Sequence, residues 1–153
     1  MPIVEALAAE QVAQIRELLA EYWESCGFTP CFQNFDAELA ALPGEYASPA
    51  GRLALALSEG QPVGCVALRR LDRSRGEMKR LYVRVAFRGC GWGRQLLDWA
   101  IAEARAAGYR ELLCDTMPAM ADALAMYRRT GFEFIAPYTG HPTEGAIFLR
   151  LEL

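Results

Sequence analysis

The sequence predicts a mixed α/β (α+β) domain: a central, mostly antiparallel sheet with one parallel strand pair, flanked by four helices. Three observations predict it. Strand-length apolar runs follow one another at Arg52–Leu57, Val63–Leu71 and Glu77–Val83 with only turns between them, the pattern of a meander. A strand, a glycine-rich turn, a helix and a second strand then succeed one another from Leu81 to Cys114. That order demands a parallel pair with a right-handed crossover. The chain closes on two more strand-length runs, Phe132–Ile135 and Ala146–Leu153, which read as a closing hairpin.

Each element has a local reason. Met1–Val4 is a short first strand. Ala8–Cys26 is a helix, because Val12, Ile15, Leu18, Leu19, Tyr22, Trp23 and Cys26 recur at three- and four-residue spacing while Glu10, Gln14, Glu17, Glu21 and Glu24 take the other side. Gly27 stops it. Asp36 is placed to cap a short helix over Ala37–Leu42, which Pro43-Gly44 ends. The turn Glu59-Gly60-Gln61-Pro62 joins the first two meander strands and is longer than the two-residue ideal. Asp72–Gly76 is a polar turn. The helix from about Gly91 to Ala107 has the core stripe Leu96, Leu97, Ala100, Ile101 and Ala104, and Gly108 caps it. Glu111–Asp115 is a short buried strand. Met120–Thr130 is the fourth helix, closed by Gly131.

Composition narrows the function. The chain has 153 residues, 53% hydrophobic and 23% charged, which suits one domain over residues 1–153. Its net charge of −3 argues against a general affinity for nucleic acid. No apolar run is long enough to span a membrane, and Met1–Glu10 has no leader-like pattern. The five cysteines, Cys26, Cys31, Cys65, Cys90 and Cys114, are scattered without CxxC spacing, so a reducing cytoplasm is expected and disulfides are not. With one histidine, His141, no metal site is expected. Positive charge is almost all arginine; Lys79 is the only lysine.

The chemistry concentrates in Arg88-Gly89-Cys90-Gly91-Trp92-Gly93, where a strand runs into a helix start. Unpaired N–H groups and the positive end of the helix dipole attract anions there, and glycines let a phosphate reach the backbone. A P-loop needs Gly-Lys-Ser/Thr, but here Gly93 leads into Arg94-Gln95. A dinucleotide fingerprint needs GxGxxG, but here the spacing is GxGxG. The remaining pattern, R/Q-x-x-G-x-G/A, is met.

With that pattern the chain resembles the GNAT superfamily of acyl-CoA-dependent N-acyltransferases, over nearly its whole length. Two runs carry the resemblance: LYVRVAFRGCGWG (Leu81–Gly93) and AMYRRTGF (Ala125–Phe132), the latter with Ala123, Tyr127, Gly131 and Phe132 in the family's A-x-x-x-Y-x-x-x-G-F pattern. The resemblance implies a strand pair that splays open between Leu81-Tyr82-Val83 and Glu111–Asp115. It implies acetyl-CoA as co-substrate and no metal. The pyrophosphate would meet Arg88, Gly89, Cys90, Gly91, Trp92, Gly93 and Arg94, and the pantetheine arm the free edge of Leu81, Tyr82 and Val83. Met120 and Ala123 would border the arm, although the family often has an asparagine where Met120 stands. A backbone N–H near Val83 would polarise the thioester carbonyl, and Tyr127 would protonate the departing thiolate.

The amine acceptor needs a base, because an alkylamine of pKa roughly 10 is only about one part in a thousand neutral at pH 7. Glu77 stands where some members carry a catalytic glutamate. The competing reading is a surface glutamate at a strand start beside Lys79 and Arg80. The acceptor, a small molecule or a peptide, is expected between Cys26–Phe35 and Pro137–Gly145, which carry Phe28, Phe32, Gln33, Phe35, Tyr138, His141 and Glu144. The acidic balance favours an amine, while Arg52, Arg69, Arg70 and Arg80 leave an acceptor carboxylate equally open. A homodimer is compatible with this reading. The alternative function is a GNAT module that senses acyl-CoA without turnover.

Overall fold

The computed structural model describes residues 2–25, 35–140 and 142–153. Seven strands form one sheet: β1 (Ile3–Glu5), β2 (Arg52–Ser58), β3 (Gln61–Arg70), β4 (Arg75–Val83), β5 (Glu111–Thr116), β6 (Glu133–Ile135) and β7 (Ile147–Glu152). Among the described residues four α-helices accompany them: α1 (Ala9–Ser25), α2 (Phe35–Ala41), α3 (Trp92–Ala106) and α4 (Ala121–Thr130). The sheet order is β1-β2-β3-β4-β5-β7-β6, and only β4–β5 is parallel. The mixed sheet with a central crossover therefore stands as read from the sequence.

The alternation in β2 builds two different cores. Leu53 and Leu55 face α1, joining Ile15, Leu18, Leu19 and Trp23. Ala54 and Ala56 face α3, joining Leu96, Leu97, Ala100 and Ala104. Small side chains on both partners let α3 lie close to the sheet, while leucines fill the wider gap under α1. Each large apolar side chain so buried contributes about 1.5–3 kcal/mol.

Two local readings are corrected. Ser58 pairs with Gln61, so the β2–β3 turn is only Glu59-Gly60, with φ of 51° and 81°. That is the two-residue hairpin turn with both central residues left-handed, and it matches strand twist better than the longer turn expected. Asp36 lies inside α2 instead of capping it, because the helix begins at Phe35, whose ring stacks on Trp23 at 4.1 Å. Phe35 is thus core, not an acceptor-loop aromatic. Phe28, Phe32, Gln33 and His141, with the expected helix stop at Gly27, lie outside the described residues.

Candidate active site

The site begins where β4 and β5 part. They pair only from Arg75–Glu77 to Glu111–Leu113. Beyond that, β4 stays with β3 as far as Val83 and β5 stays with β7 as far as Thr116. A wedge-shaped cleft opens between them, closed on one side by α4.

A bulge in β4 shapes the cleft. Tyr82 pairs with Cys65 and Lys79 with Ala67, so Val66 alone faces both Arg80 and Leu81. Arg80 sits at φ 60°, a conformation that disfavours any side chain. Glu38 of α2 holds it through two hydrogen bonds, from Nε at 2.8 Å and from the second guanidinium nitrogen at 3.0 Å. The guanidinium also lies 5.1 Å from the Trp23 ring and 5.4 Å from that of Phe35. The bulge turns Arg80 onto the α1–α2 face with Lys79 and Tyr82, and returns Leu81 to the α3 face with Met78. Reading Glu77–Val83 as one plain meander strand misses this. Its one signal was Arg80 sitting between Met78 and Tyr82, where an apolar residue belongs in a strand buried on both faces.

Two adjoining cavities flank the split strands and share Lys79, Arg80 and Asp115. The smaller, about 60 Å³, is bordered by Tyr22, Leu81, Met120, Ala123 and Tyr127. Tyr127 is there because Gly131 (φ 113°) ends α4: Gly131 N–H donates to Arg128 and Phe132 N–H to the Tyr127 carbonyl. Phe132 then packs its ring 5.5 Å from that of Tyr127. Among the described residues the Tyr127 hydroxyl has no hydrogen-bond partner. Burial, reinforced by nearby Cys114, Tyr22 and Asp115, pushes its pKa well above 10, so the phenol stays protonated.

The larger cavity, about 510 Å³, lies on the α2 side and contains Glu77. Glu77 is neither exposed nor paired with Lys79 or Arg80. It is 1% exposed, and Arg69, its register partner on β3, donates from Nε to Oε1 at 2.6 Å. Tyr138 donates its hydroxyl to Oε2 at 2.5 Å. Arg69 also bonds Glu45 at 2.8 Å. Burial and the Glu77 charge raise the Tyr138 pKa, which keeps this hydroxyl a donor too. Sequence reading offered Arg69 only as an arm for an acceptor and Tyr138 only as a loop aromatic, since neither contact is visible without strand register. Arg52 and Arg70 do not reach the cavity: Arg52 pairs with Glu103 at 3.1 Å, and Arg70 lies over the Tyr109 ring.

The anion cradle is the start of α3. Gly89 and Gly91 adopt φ of 79° and 94°, conformations open to glycine. Gly91 is the N-cap; no side chain caps the helix and no acid sits in its first turn. The N–H groups of its first turn are thus left for a ligand. Gly93 lies inside the helix, and an added Cβ there would meet nothing nearer than 3.9 Å. No contact among the described residues requires glycine at that place. The Trp92 side chain packs into the core, so only its backbone faces the cradle. Arg94 pairs with Asp98 on the surface. Arg88 is not extended towards the cradle: its Nε donates to the Val83 carbonyl at 2.8 Å, with the guanidinium over the Tyr82 ring.

Arg84 N–H donates to Val63, which makes Gly64–Val83 a non-hydrogen-bonded pair. The Val83 N–H therefore points away from β3, towards the cleft. Tyr82 turns its side chain to the other face, where it bonds Glu21 at 2.9 Å. Met120 is the N-cap of α4 and contacts Thr116 through its sulfur at 3.5 Å. Ala123 keeps the cleft wall low beside it.

The family profile described as the acetyltransferase (GNAT) family matches residues 12–132. The chain belongs to the GNAT acetyltransferase family. An uncharacterized N-acetyltransferase of Schizosaccharomyces pombe is 33% identical over 146 residues, covering 94% of this chain and 90% of its own. An acetyltransferase structure from Streptococcus agalactiae superposes with a TM-score of 0.84 at 20% identity, over 99% of this chain and 98% of that one. A GNAT acetyltransferase from Elizabethkingia anophelis, solved with acetyl-CoA bound, superposes at 0.72 with 23% identity, over 99% and 97% of the two chains. The class of chemistry of this GNAT protein is acetyl transfer. Among the described residues no group of acids, cysteines or histidines is placed to hold a metal ion, and no helix is long and apolar enough to cross a membrane.

Proposed function

We propose that this GNAT protein moves the acetyl group of acetyl-CoA onto the amine of a small molecule or peptide by direct attack in a ternary complex. The observation that carries this reading is the split between β4 and β5, with an uncapped helix start at one end and two cavities along it. Acetyl-CoA supplies an activated thioester. The backbone N–H groups from Cys90 to Arg94 hold its pyrophosphate. The free edge of β4 at Leu81 and Val83 bonds the pantetheine arm, and the Val83 N–H faces the thioester carbonyl. Tyr127 donates its hydroxyl to the sulfur as negative charge builds there. Glu77 takes the amine proton at Oε2, the oxygen that Tyr138 occupies at rest, while Arg69 remains on Oε1.

Thiol release from acetyl-CoA over a panel of amino acids, polyamines, aminoglycosides and peptides tests this reading. Turnover on one class supports it; acetyl-CoA binding without turnover on any marks a sensing module. Glu77→Gln is expected to remove the acid limb of the pH–rate profile. An unchanged limb assigns the proton to another group.

Gly93→Ala tests the cradle separately. Alanine in a helix is favoured over glycine by roughly 0.5–1 kcal/mol, and the space admits it. Thermal unfolding is expected to show equal or higher stability, while calorimetry shows weaker acetyl-CoA binding. Undiminished affinity removes the pyrophosphate from this helix start.

A further inference from the structure

We propose that the acceptor is a small zwitterion, an amine that also carries a carboxylate, as an amino acid does. The geometry assigns its carboxylate to Lys79 and its ammonium to Asp115. This rests on the acetyl-transfer reading and names the substrate class of the same site.

The larger cavity is rich in charge, and most of that charge is already satisfied. Arg69 is bonded to Glu45 and Glu77, and Arg80 to Glu38. Lys79 and Asp115 are different. Both are half-buried, both border the two cavities, and neither has a hydrogen-bond or ion-pair partner among the described residues. Charges withdrawn from water normally find a partner. Two of opposite sign, with no hydrogen bond or ion pair among the described residues although Lys79 feels the Glu38 charge, fit a ligand that brings both complements.

Their placement follows from the split. Glu77 and Leu113 are the last parallel partners. One step further along the same face, Lys79 on β4 and Asp115 on β5 would be partners had the pairing continued. The strands part there, so the two side chains stand on opposite lips of the cleft. Asp115, and not Lys79, is among the charges that act on the Tyr127 phenol, so an amine on Asp115 lies near where the thioester is proposed to sit. A carboxylate on Lys79 anchors the other end.

Composition supports the assignment. Of sixteen basic residues Lys79 is the only lysine, in a chain that otherwise uses arginine throughout. A lysine is a compact point charge that a ligand carboxylate can meet from one side. Lys79 disfavours polyamines, whose second cation it repels. A peptide amine, whose neighbouring carbonyl is an amide, leaves Lys79 without a partner. The cavity volume of about 510 Å³ falls in the range of small-molecule pockets, roughly 300–1,000 Å³.

The experiment compares amino acids with their carboxamides as acceptors in thiol release. It is run on the parent chain, Lys79→Gln, Lys79→Arg and Asp115→Asn, with acetyl-CoA affinity and Tm measured on each. The parent is expected to prefer at least one amino acid over its carboxamide by about tenfold or more in kcat/KM. In Lys79→Gln that preference is expected to fall to within about threefold, mainly through KM, and in Lys79→Arg to persist. Asp115→Asn is expected to raise KM for acid and carboxamide together. Equal use of both acceptors by the parent overturns the proposal, as does a preference that survives Lys79→Gln. Acetyl-CoA binding with no amino acid acetylated also overturns it and leaves the cradle standing. Failure to bind acetyl-CoA overturns the acetyl-transfer reading and this one with it.

Discussion

Tyr127→Phe is expected to bind acetyl-CoA as the parent does and to turn over about ten- to a thousandfold more slowly. The structure makes this substitution clean. The ring is held by Phe132 and by the helix end at Gly131, and neither contact uses the hydroxyl. The hydroxyl has no partner among the described residues, so its removal leaves no buried group unsatisfied. The loss should therefore appear in kcat, with Tm and acetyl-CoA affinity retained. A parent-like kcat removes Tyr127 from proton transfer and leaves it as packing.

Glu38→Ala is expected to destabilise the fold by roughly 3 kcal/mol, on the order of 10 °C in Tm, by leaving Arg80 unpaired. The Arg80 side chain is only 7% exposed, and its backbone is held in a conformation that disfavours it. Replacing both partners together, Glu38→Leu with Arg80→Met, is expected to regain much of the stability, since an apolar pair needs no desolvation. Turnover should not return with it, because the bulge that puts Lys79 and Arg80 on one face loses the clamp that holds it. Recovery of full activity in the double variant contradicts this role for the pair.

The same pair sets an acid limit on stability. Burial pushes the Glu38 carboxyl up, but the bonds and charge of Arg80, with a bond from Tyr46, outweigh it and hold the group below its ordinary value. A folded pKa below the unfolded one gives stability that is present above about pH 4.5 and is lost as pH falls through the folded value. Thermal unfolding between pH 7 and pH 3 should show this loss in the parent and a flatter profile in Glu38→Gln.

What was legible in the sequence was what is local. The glycine turn and the start of α3 follow from residues a few places apart. So does the end of α4, where Tyr127, Gly131 and Phe132 fix one another. The strand-length apolar runs of β2 and β3, with only a turn between them, likewise marked a hairpin. What was not legible was set across the sheet. The β4 bulge is held by Glu38, 42 residues away in sequence. The burial of Glu77 depends on Arg69 across the strand and on Tyr138 from the loop before β7. A strand read alone gives Glu77 only its neighbours in sequence, Lys79 and Arg80, yet Arg80 is held by Glu38 and Glu77 by Arg69 and Tyr138. Lys79 and Asp115 acquire meaning only once the strands that carry them are seen to separate.

The central claim is that the start of α3 and the free edge of β4 together receive acetyl-CoA. Titrating acetyl-CoA into isotopically labelled protein and following the backbone amide resonances tests it most directly. The N–H signals of Cys90 to Arg94 and of Val83 are predicted to shift together and saturate with one equivalent. Binding that leaves those amides unmoved, or no binding at all, contradicts it.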